Sequence, residues 1–98
     1  MERKAVITGI GLITPSGTLS DVWETLLCGQ SVASPIETFD TSLYPTSKAG
    51  IVTDRTIFAP FSPRLLKRMD RFACLALAAA HQALKDSGLG YWLSSPAE

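Results

Sequence analysis

The stretch that most constrains this chain is the apolar segment Ala5–Gly17, which reads AVITGIGLITPSG. Its apolar residues do not alternate with polar ones, a pattern typical of a strand that is buried on both faces. The β-branched apolar residues of the segment are Val6, Ile7, Ile10 and Ile13. A strand of this kind lies at the centre of a layered sheet, so the sequence predicts an α/β fold built around it.

A short helix and a long loop are predicted next. Thr18–Asp21 offers capping residues, and Gly29 is a natural end for a helix of two to three turns. Residues 30–62 contain several prolines and are predicted to be irregular, with a short strand at 49–52.

The clearest predicted element is a long amphipathic helix over residues 63–87. Ser62 and Pro63 suit its first turn, and Gly88 suits its end. Its predicted apolar face includes several alanines that allow close approach to another backbone layer; the face consists of Leu65, Met69, Phe72, Ala76, Ala79, Ala80, Ala83 and Leu84.

Composition excludes several classes of protein. The chain has 98 residues with 46% hydrophobic residues and a formal net charge of zero, which fits one small globular domain and argues against nucleic-acid binding. Its apolar runs are too short to predict a membrane span, and its amino terminus makes a poor secretory signal. Two distant cysteines, Cys28 and Cys74, form neither a disulfide framework nor a metal set and fit a reducing cytoplasm.

Gly9 and Gly11 follow the predicted strand and resemble half of a dinucleotide-binding loop. That motif needs a third glycine and a helix that begins at once, so that its amino terminus meets the pyrophosphate. Here Thr14 and Pro15 follow, and the next helix begins only near Asp21. We therefore expect these glycines to shape a sharp turn.

Cys74 and His81 invite comparison with a cysteine nucleophile and its histidine base. Seven residues of helix separate them by about 10 Å of axial rise, whereas such a pair needs hydrogen-bond reach of about 3 Å. We expect Cys74 to be a packing residue and His81 to flank the apolar face.

A basic stripe is the most functional-looking feature of the long helix. Its members, spaced i, i+3, i+4 and i+7 on the predicted solvent face, are Arg64, Lys67, Arg68 and Arg71. Like charges at helical neighbours repel, and in a neutral chain their clustering favours an acidic partner as well as an ordinary solvated face.

Together these stretches resemble the amino-terminal part of one family. The matching motifs, in common order across residues 3–89, are Val6–Gly17, Trp23–Ser31, Phe39–Ser42, Ala49–Gly50, Arg68–Phe72, Ala78–Ala80 and Gln82–Leu89. No single motif is decisive, but their shared order is specific. By them the chain is similar to the β-ketoacyl-acyl carrier protein synthases, in particular the elongating, type II-like condensing enzymes.

The resemblance implies a thiolase-like α/β fold and a decarboxylating Claisen condensation between an acyl-cysteine intermediate and malonyl-carrier protein. It also implies a homodimer for the full-length family. The family's catalytic cysteine and two histidines lie downstream, and Cys74 and His81 match ordinary positions. We therefore predict no catalytic residue, cofactor or metal in this chain, and no activity from the isolated chain.

The resemblance also implies a partner. Arg64, Lys67 and Arg68 match the basic positions with which members of the family dock an acidic acyl carrier protein. The family pattern and the charge pattern thus predict the same carrier-protein-binding residues.

The resemblance ends at Leu89, which divides the chain into a partial β-ketoacyl synthase amino-terminal domain, 1–89, and a divergent tail, 90–98. Such an ending is that expected of a truncated or frame-shifted gene product. A lone central strand cannot satisfy its own backbone, so we expect marginal folding or association. Two alternatives stay open: a non-catalytic module that binds an acidic carrier protein or a full-length synthase, and a small nucleotide-binding α/β protein.

Overall fold

The elements follow in the order α1, Leu19–Cys28; β1, Ala33–Pro35; β2, Lys48–Gly50; a 3-10 helix, Thr56–Phe58; α2, Pro63–Lys67; and α3, Arg71–Asp86. The computed structural model describes residues 2–89. These form two units, residues 13–55, called the α1 unit, and residues 2–12 with 56–89, called the α3 unit. The predicted divergent tail, 90–98, lies outside the described residues.

The α1 unit begins with the predicted short helix. Asp21 at the third helical position accepts hydrogen bonds from the Thr18 N–H, at 3.2 Å, and from the Thr18 hydroxyl, at 3.3 Å. Gly29 ends the helix with φ 68°, in the left-handed region that favours glycine. Both predicted ends of this helix are confirmed.

A small antiparallel sheet follows α1 in the same unit. β1 pairs with β2 so that Ala33 faces Gly50 and Pro35 faces Lys48. The predicted short strand at 49–52 is therefore confirmed at Ala49 and Gly50, two residues earlier than expected at its end. Its partner was not predicted, because a strand that contains a proline carries little sequence signal.

The α3 unit is organised around a close contact between backbone and helix. A Cβ atom at Gly9 would collide with the Ala83 carbonyl oxygen, and one at Gly11 would collide with the Ala79 carbonyl oxygen. Both glycines let the amino-terminal segment lie directly on α3, as the alanines of the helix predicted. In the described part of the chain the buried hydrophobic residues are Cys74 and Ala78, both on α3.

The predicted central strand is not formed as a strand in residues 2–89. Two of its backbone N–H groups are taken by α3 side chains: Ile10 donates to Asp86 Oδ2 at 2.9 Å, and Leu12 donates to Gln82 Oε1 at 3.2 Å. A strand exists only where a neighbour completes the ladder, and no described segment supplies one to this stretch. Thr14 and Gly17 form a single antiparallel bridge across a tight turn.

The predicted long helix is wrong in one respect, because it is divided in two. Arg68 ends α2, and Asp70 adopts extended dihedral angles (φ −68°, ψ 161°) as the N-cap residue of α3. Asp70 is among the residues that most favour this position, and its carbonyl accepts the Cys74 N–H at 3.1 Å. The Asp70 side chain makes no hydrogen bond to the first turn of α3, so it is the extended backbone of Asp70 that marks the break.

Candidate functional site

The predicted basic site is carried by α2, a short helix with a well-defined start. The Ser62 side chain accepts a hydrogen bond from the Leu65 N–H at 3.2 Å, and Pro63 occupies the first helical position. This arrangement satisfies one of the N–H groups that every helix leaves unpaired at its start. At the other end the Arg68 N–H donates to the Leu65 carbonyl at 3.1 Å.

α2 brings the three predicted carrier-protein-binding residues together. Arg64 and Lys67 lie three residues apart on the helix, and Arg68 retains helical dihedral angles (φ −87°, ψ −6°) one residue further on. Residues spaced i, i+3 and i+4 are neighbours on a helix surface, about 5 to 6 Å apart at Cβ. We call these three residues the basic cluster.

The charges of the basic cluster face solvent. All three side chains are exposed. Arg64 and Lys67 belong to the last turn of α2, where positive charge interacts favourably with the helix dipole. That interaction offsets part of their mutual repulsion and leaves a locally positive surface.

Arg71 does not belong to this cluster. The predicted stripe of four basic residues is therefore wrong at its last member. The extended backbone at Asp70 places Arg71 at the start of a separate helix. Its guanidinium carbon lies 5.4 Å from the centroid of the Phe58 ring, within the range of a cation–π contact. The helix break thus separates one of the four cations from the others and sets it against an aromatic ring.

The sequence predicted the wrong environment for Leu65, a residue of this site. A continuous helix would bury Leu65 and Phe72 on its apolar face, but Leu65 is 42% exposed and Phe72 is exposed as well. The available signal was the residue type of Asp70, because aspartate is favoured at the position that precedes a helix, and a break there divides the face to which Leu65 and Phe72 were assigned.

Cys74 and His81 occupy structural positions, as predicted. Cys74 is buried, and its thiol donates weakly to the carbonyl oxygens of Leu66, at 3.6 Å, and Met69, at 3.9 Å. The His81 ring packs edge-on against Phe61, with ring centroids 5.3 Å apart and planes at 78°. Neither contact prepares a nucleophile or a base for catalysis.

The nucleotide alternative finds no support in the surroundings of Gly9 and Gly11. The side on which their side chains would lie is filled by the backbone of α3, near Ala79 and Ala83. These residues lie well inside α3, whereas a pyrophosphate site needs the amino terminus of a helix. The two glycines therefore serve close packing rather than phosphate binding, and the predicted sharp turn lies later, at Thr14–Gly17.

Asp40 stabilises the turn of the Phe39–Ser42 motif. The backbone N–H of Ser42 donates to Asp40 Oδ1 at 3.0 Å, and the Ser42 hydroxyl donates to Oδ2 at 3.1 Å. These two bonds lower the pKa of the Asp40 carboxyl from its ordinary value. Beside this turn an apolar groove of about 320 Å³ is lined by residues including Ile36, Phe39 and Tyr44.

The described residues offer neither a metal-ligand cluster nor a membrane-spanning helix. No group of three histidine, cysteine, aspartate or glutamate side chains is placed to hold a metal ion within residues 2–89. In the same part of the chain no helix has the length and apolar character needed to cross a membrane.

Comparisons with known proteins agree with the motif pattern. The family model described as beta-ketoacyl synthase, N-terminal domain, matches residues 2–91. A 3-oxoacyl-[acyl-carrier-protein] synthase 2 from Coxiella burnetii is 39% identical over 89 residues, which cover 90% of this chain and 22% of the relative. The enzyme of the same name from Vibrio cholerae is 40% identical over 89 residues, again 90% of this chain and 22% of the relative.

A relative from polyketide synthesis matches equally well. The tetracenomycin polyketide synthase ketoacyl synthase alpha subunit of Streptomyces glaucescens is 38% identical over 89 residues, covering 90% of this chain and 21% of the relative. The chain thus spans only about a fifth of the length of these relatives, and the matched part is the amino-terminal domain. The match over residues 2–91 shows that the chain belongs to the β-ketoacyl synthase family.

Proposed function

We propose that this chain supplies the amino-terminal part of a β-ketoacyl-acyl carrier protein synthase, the acyltransferase that condenses an acyl thioester with malonyl-carrier protein. The relatives are named as a 3-oxoacyl-[acyl-carrier-protein] synthase and as a subunit of a polyketide synthase, and the proposal covers both fatty acid and polyketide synthesis. Within such an enzyme the chain contributes to a thiolase-like core, and the complete protein is a cytoplasmic homodimer. Two free cysteines, Cys28 and Cys74, support the reducing location.

The role that we propose for this chain's own residues is to dock the acidic carrier protein. The observation that carries it is the basic cluster: Arg64 and Lys67 lie on α2, Arg68 is its C-cap residue, and all three are exposed. Exposed charges at the edge of an interface act mainly by steering the partner and fixing its orientation, and their effect weakens with salt. Such a charge-based interaction suits a partner that must bind and dissociate in each round of the reaction.

Titration of a labelled bacterial acyl carrier protein against the 98-residue chain tests this role. We compare the chain with a variant in which Arg64, Lys67 and Arg68 are all replaced by glutamate. At an ionic strength of about 0.01 M, where screening extends to about 30 Å, we expect affinity to fall at least about 30-fold. A matched control replaces Arg3, Lys4 and Lys48 by glutamate, three exposed basic residues outside the cluster.

The control separates a docking surface from a general effect of charge. Both variants change the net charge by the same amount, so only a local site distinguishes them. Equal losses in the two variants, or none in the cluster variant, would refute the proposed docking role.

The isolated chain itself is predicted to be inactive in condensation. Cys74 is buried with its thiol directed at two carbonyl oxygens, and Cys28, although exposed, is the last residue of α1. We expect no malonyl-dependent elongation of an acyl thioester by the purified chain. Measurable elongation, abolished by Cys28→Ser or Cys74→Ser, would contradict this.

A second candidate function is a non-catalytic module that binds an acidic carrier protein or a complete synthase. The observation that favours it is the exposed apolar edge of the amino-terminal segment, where Val6 and Ile7 are exposed and lack a neighbouring strand in residues 2–89. Co-purification of the chain with a full-length synthase, reduced by Ile7→Lys, would support this function. No association with a synthase at micromolar concentrations would exclude it.

A further inference from the structure

An exposed leucine stands within the basic cluster. Leu65 follows Arg64 directly and lies about 60° around the helix axis from Arg68, at about 100° per residue. Its side chain is 42% exposed, although its backbone N–H is fixed by the Ser62 cap at 3.2 Å. The cap therefore fixes the backbone of an exposed leucine that has two arginines close to it on the helix, Arg64 and Arg68.

A docking surface made of charges alone has a physical weakness. At an ionic strength of about 0.15 M the screening length falls to about 8 Å, and exposed ion pairs lose much of their effect. Binding energy at interfaces is concentrated in a few desolvated side chains, most often aromatic residues or arginine. An aliphatic side chain that fills a pocket of the partner can serve as the same kind of anchor. Leu65, exposed beside Arg64 and Arg68, is placed to act in this way.

We propose that Leu65 is the apolar anchor of the docking surface, and that the surface fits a partner helix that carries an apolar side chain between acidic ones. This inference rests on the proposed carrier-protein docking. It adds that the complex has a component of affinity that salt does not remove, and that this component depends on one leucine. The cations then steer the partner, and the leucine slows its dissociation.

The test is a titration of the labelled carrier protein against the 98-residue chain at ionic strengths of about 0.01 M and about 0.3 M. The variant is Leu65→Gln, which removes the apolar surface while keeping a residue of similar helix propensity. The matched control is Leu43→Gln, at a leucine that is 93% exposed and lies in the other unit. Far-UV circular dichroism of each variant checks that helix content is unchanged.

We expect Leu65→Gln to raise the dissociation constant by about fivefold at both ionic strengths, because loss of apolar contact is insensitive to screening. Leu43→Gln should leave it unchanged. A Leu65→Gln effect that vanishes at either ionic strength, or one equalled by the control, would overturn the inference. If the unaltered chain does not bind the carrier at low ionic strength, the proposed docking itself fails, which distinguishes the two outcomes.

Discussion

The two principal helices, α1 and α3, differ in what meets their apolar faces. α3 packs against the amino-terminal segment, and its backbone lies directly against Gly9 and Gly11. α3 also contains the buried residues Cys74 and Ala78. α1 has well-formed caps, yet it buries no residue, and Trp23 is 63% exposed. Amphipathic periodicity predicted both helices, but it could not show that, within residues 2–89, α3 has its apolar face covered and α1 does not.

The difference lies in the residues opposite each helix. Close contact between a helix and an extended segment needs small residues on both sides, and α3 meets this condition through its alanines and the two glycines. α1 presents large side chains, Trp23, Leu26 and Leu27, all of which are exposed. A face of this kind needs an equally large apolar surface, and the described residues do not supply one.

The largest expected effect is at the α3 contact. Gly11→Ala places a Cβ atom against the Ala79 carbonyl oxygen, which is backbone and cannot move aside without shifting the helix. We expect a loss of about 3 kcal/mol in the free energy of opening of α3, measured by hydrogen exchange at its amides. Gly88→Ala is the control: it has φ 79° but open space around it, so it should cost only about 1 kcal/mol. Equal effects of the two substitutions would contradict the close contact.

An intermediate effect is expected at the start of α1. Asp21→Ala removes the carboxylate that accepts the Thr18 N–H and hydroxyl. Loss of such a cap should cost about 1 kcal/mol, seen as faster exchange of α1 amides while α3 amides are unaffected. Glu24→Ala, at another exposed acidic position of the same helix, serves as the comparison and should change exchange much less. Similar changes from both substitutions would mean that Asp21 acts through charge alone.

The smallest expected effect is at the exposed face of α1. Replacement of a buried tryptophan by alanine usually lowers the free energy of unfolding by about 3 to 5 kcal/mol. Because Trp23 is exposed, we expect Trp23→Ala to change the stability of α1 by less than about 0.5 kcal/mol, by the same exchange measurement. A loss above about 2 kcal/mol would show that this face is covered in solution, by association of chains or otherwise. Repeating the measurement at two protein concentrations would identify association.

Much of this fold could be predicted from local signals. Thr18, Gly29, Ser62 and Pro63 mark helix ends by their own chemistry, and each lies where the sequence placed it. The alanines of the long helix predicted a close neighbour, and Gly9 and Gly11 provide it, although the sequence assigned these glycines to a turn.

Two features of the fold were not predicted, the break in the long helix and the absence of the first strand from residues 2–89. Both depend on how local preferences compete with contacts made by distant residues. Asp70 can stand inside a helix or at the position before one, and here its extended backbone divides the predicted helix and separates Arg71 from the basic cluster. The Val6–Ile13 stretch has strand composition, but strand formation depends on a partner that composition cannot reveal. The expected marginal folding or association of the chain stays a prediction, and a sharp, concentration-independent, two-state unfolding of a monomer would contradict it.

We propose that the carrier protein docks on three cations, Arg64 and Lys67 of α2 and the C-cap residue Arg68, and not on all four cations of the predicted stripe. Titration of labelled carrier protein at low ionic strength against Arg68→Gln and Arg71→Gln tests it directly, since both substitutions remove one positive charge. We expect Arg68→Gln to weaken binding about three- to tenfold and Arg71→Gln to change it by less than about twofold, because Arg71 lies over the Phe58 ring. Equal weakening by the two substitutions would contradict the account.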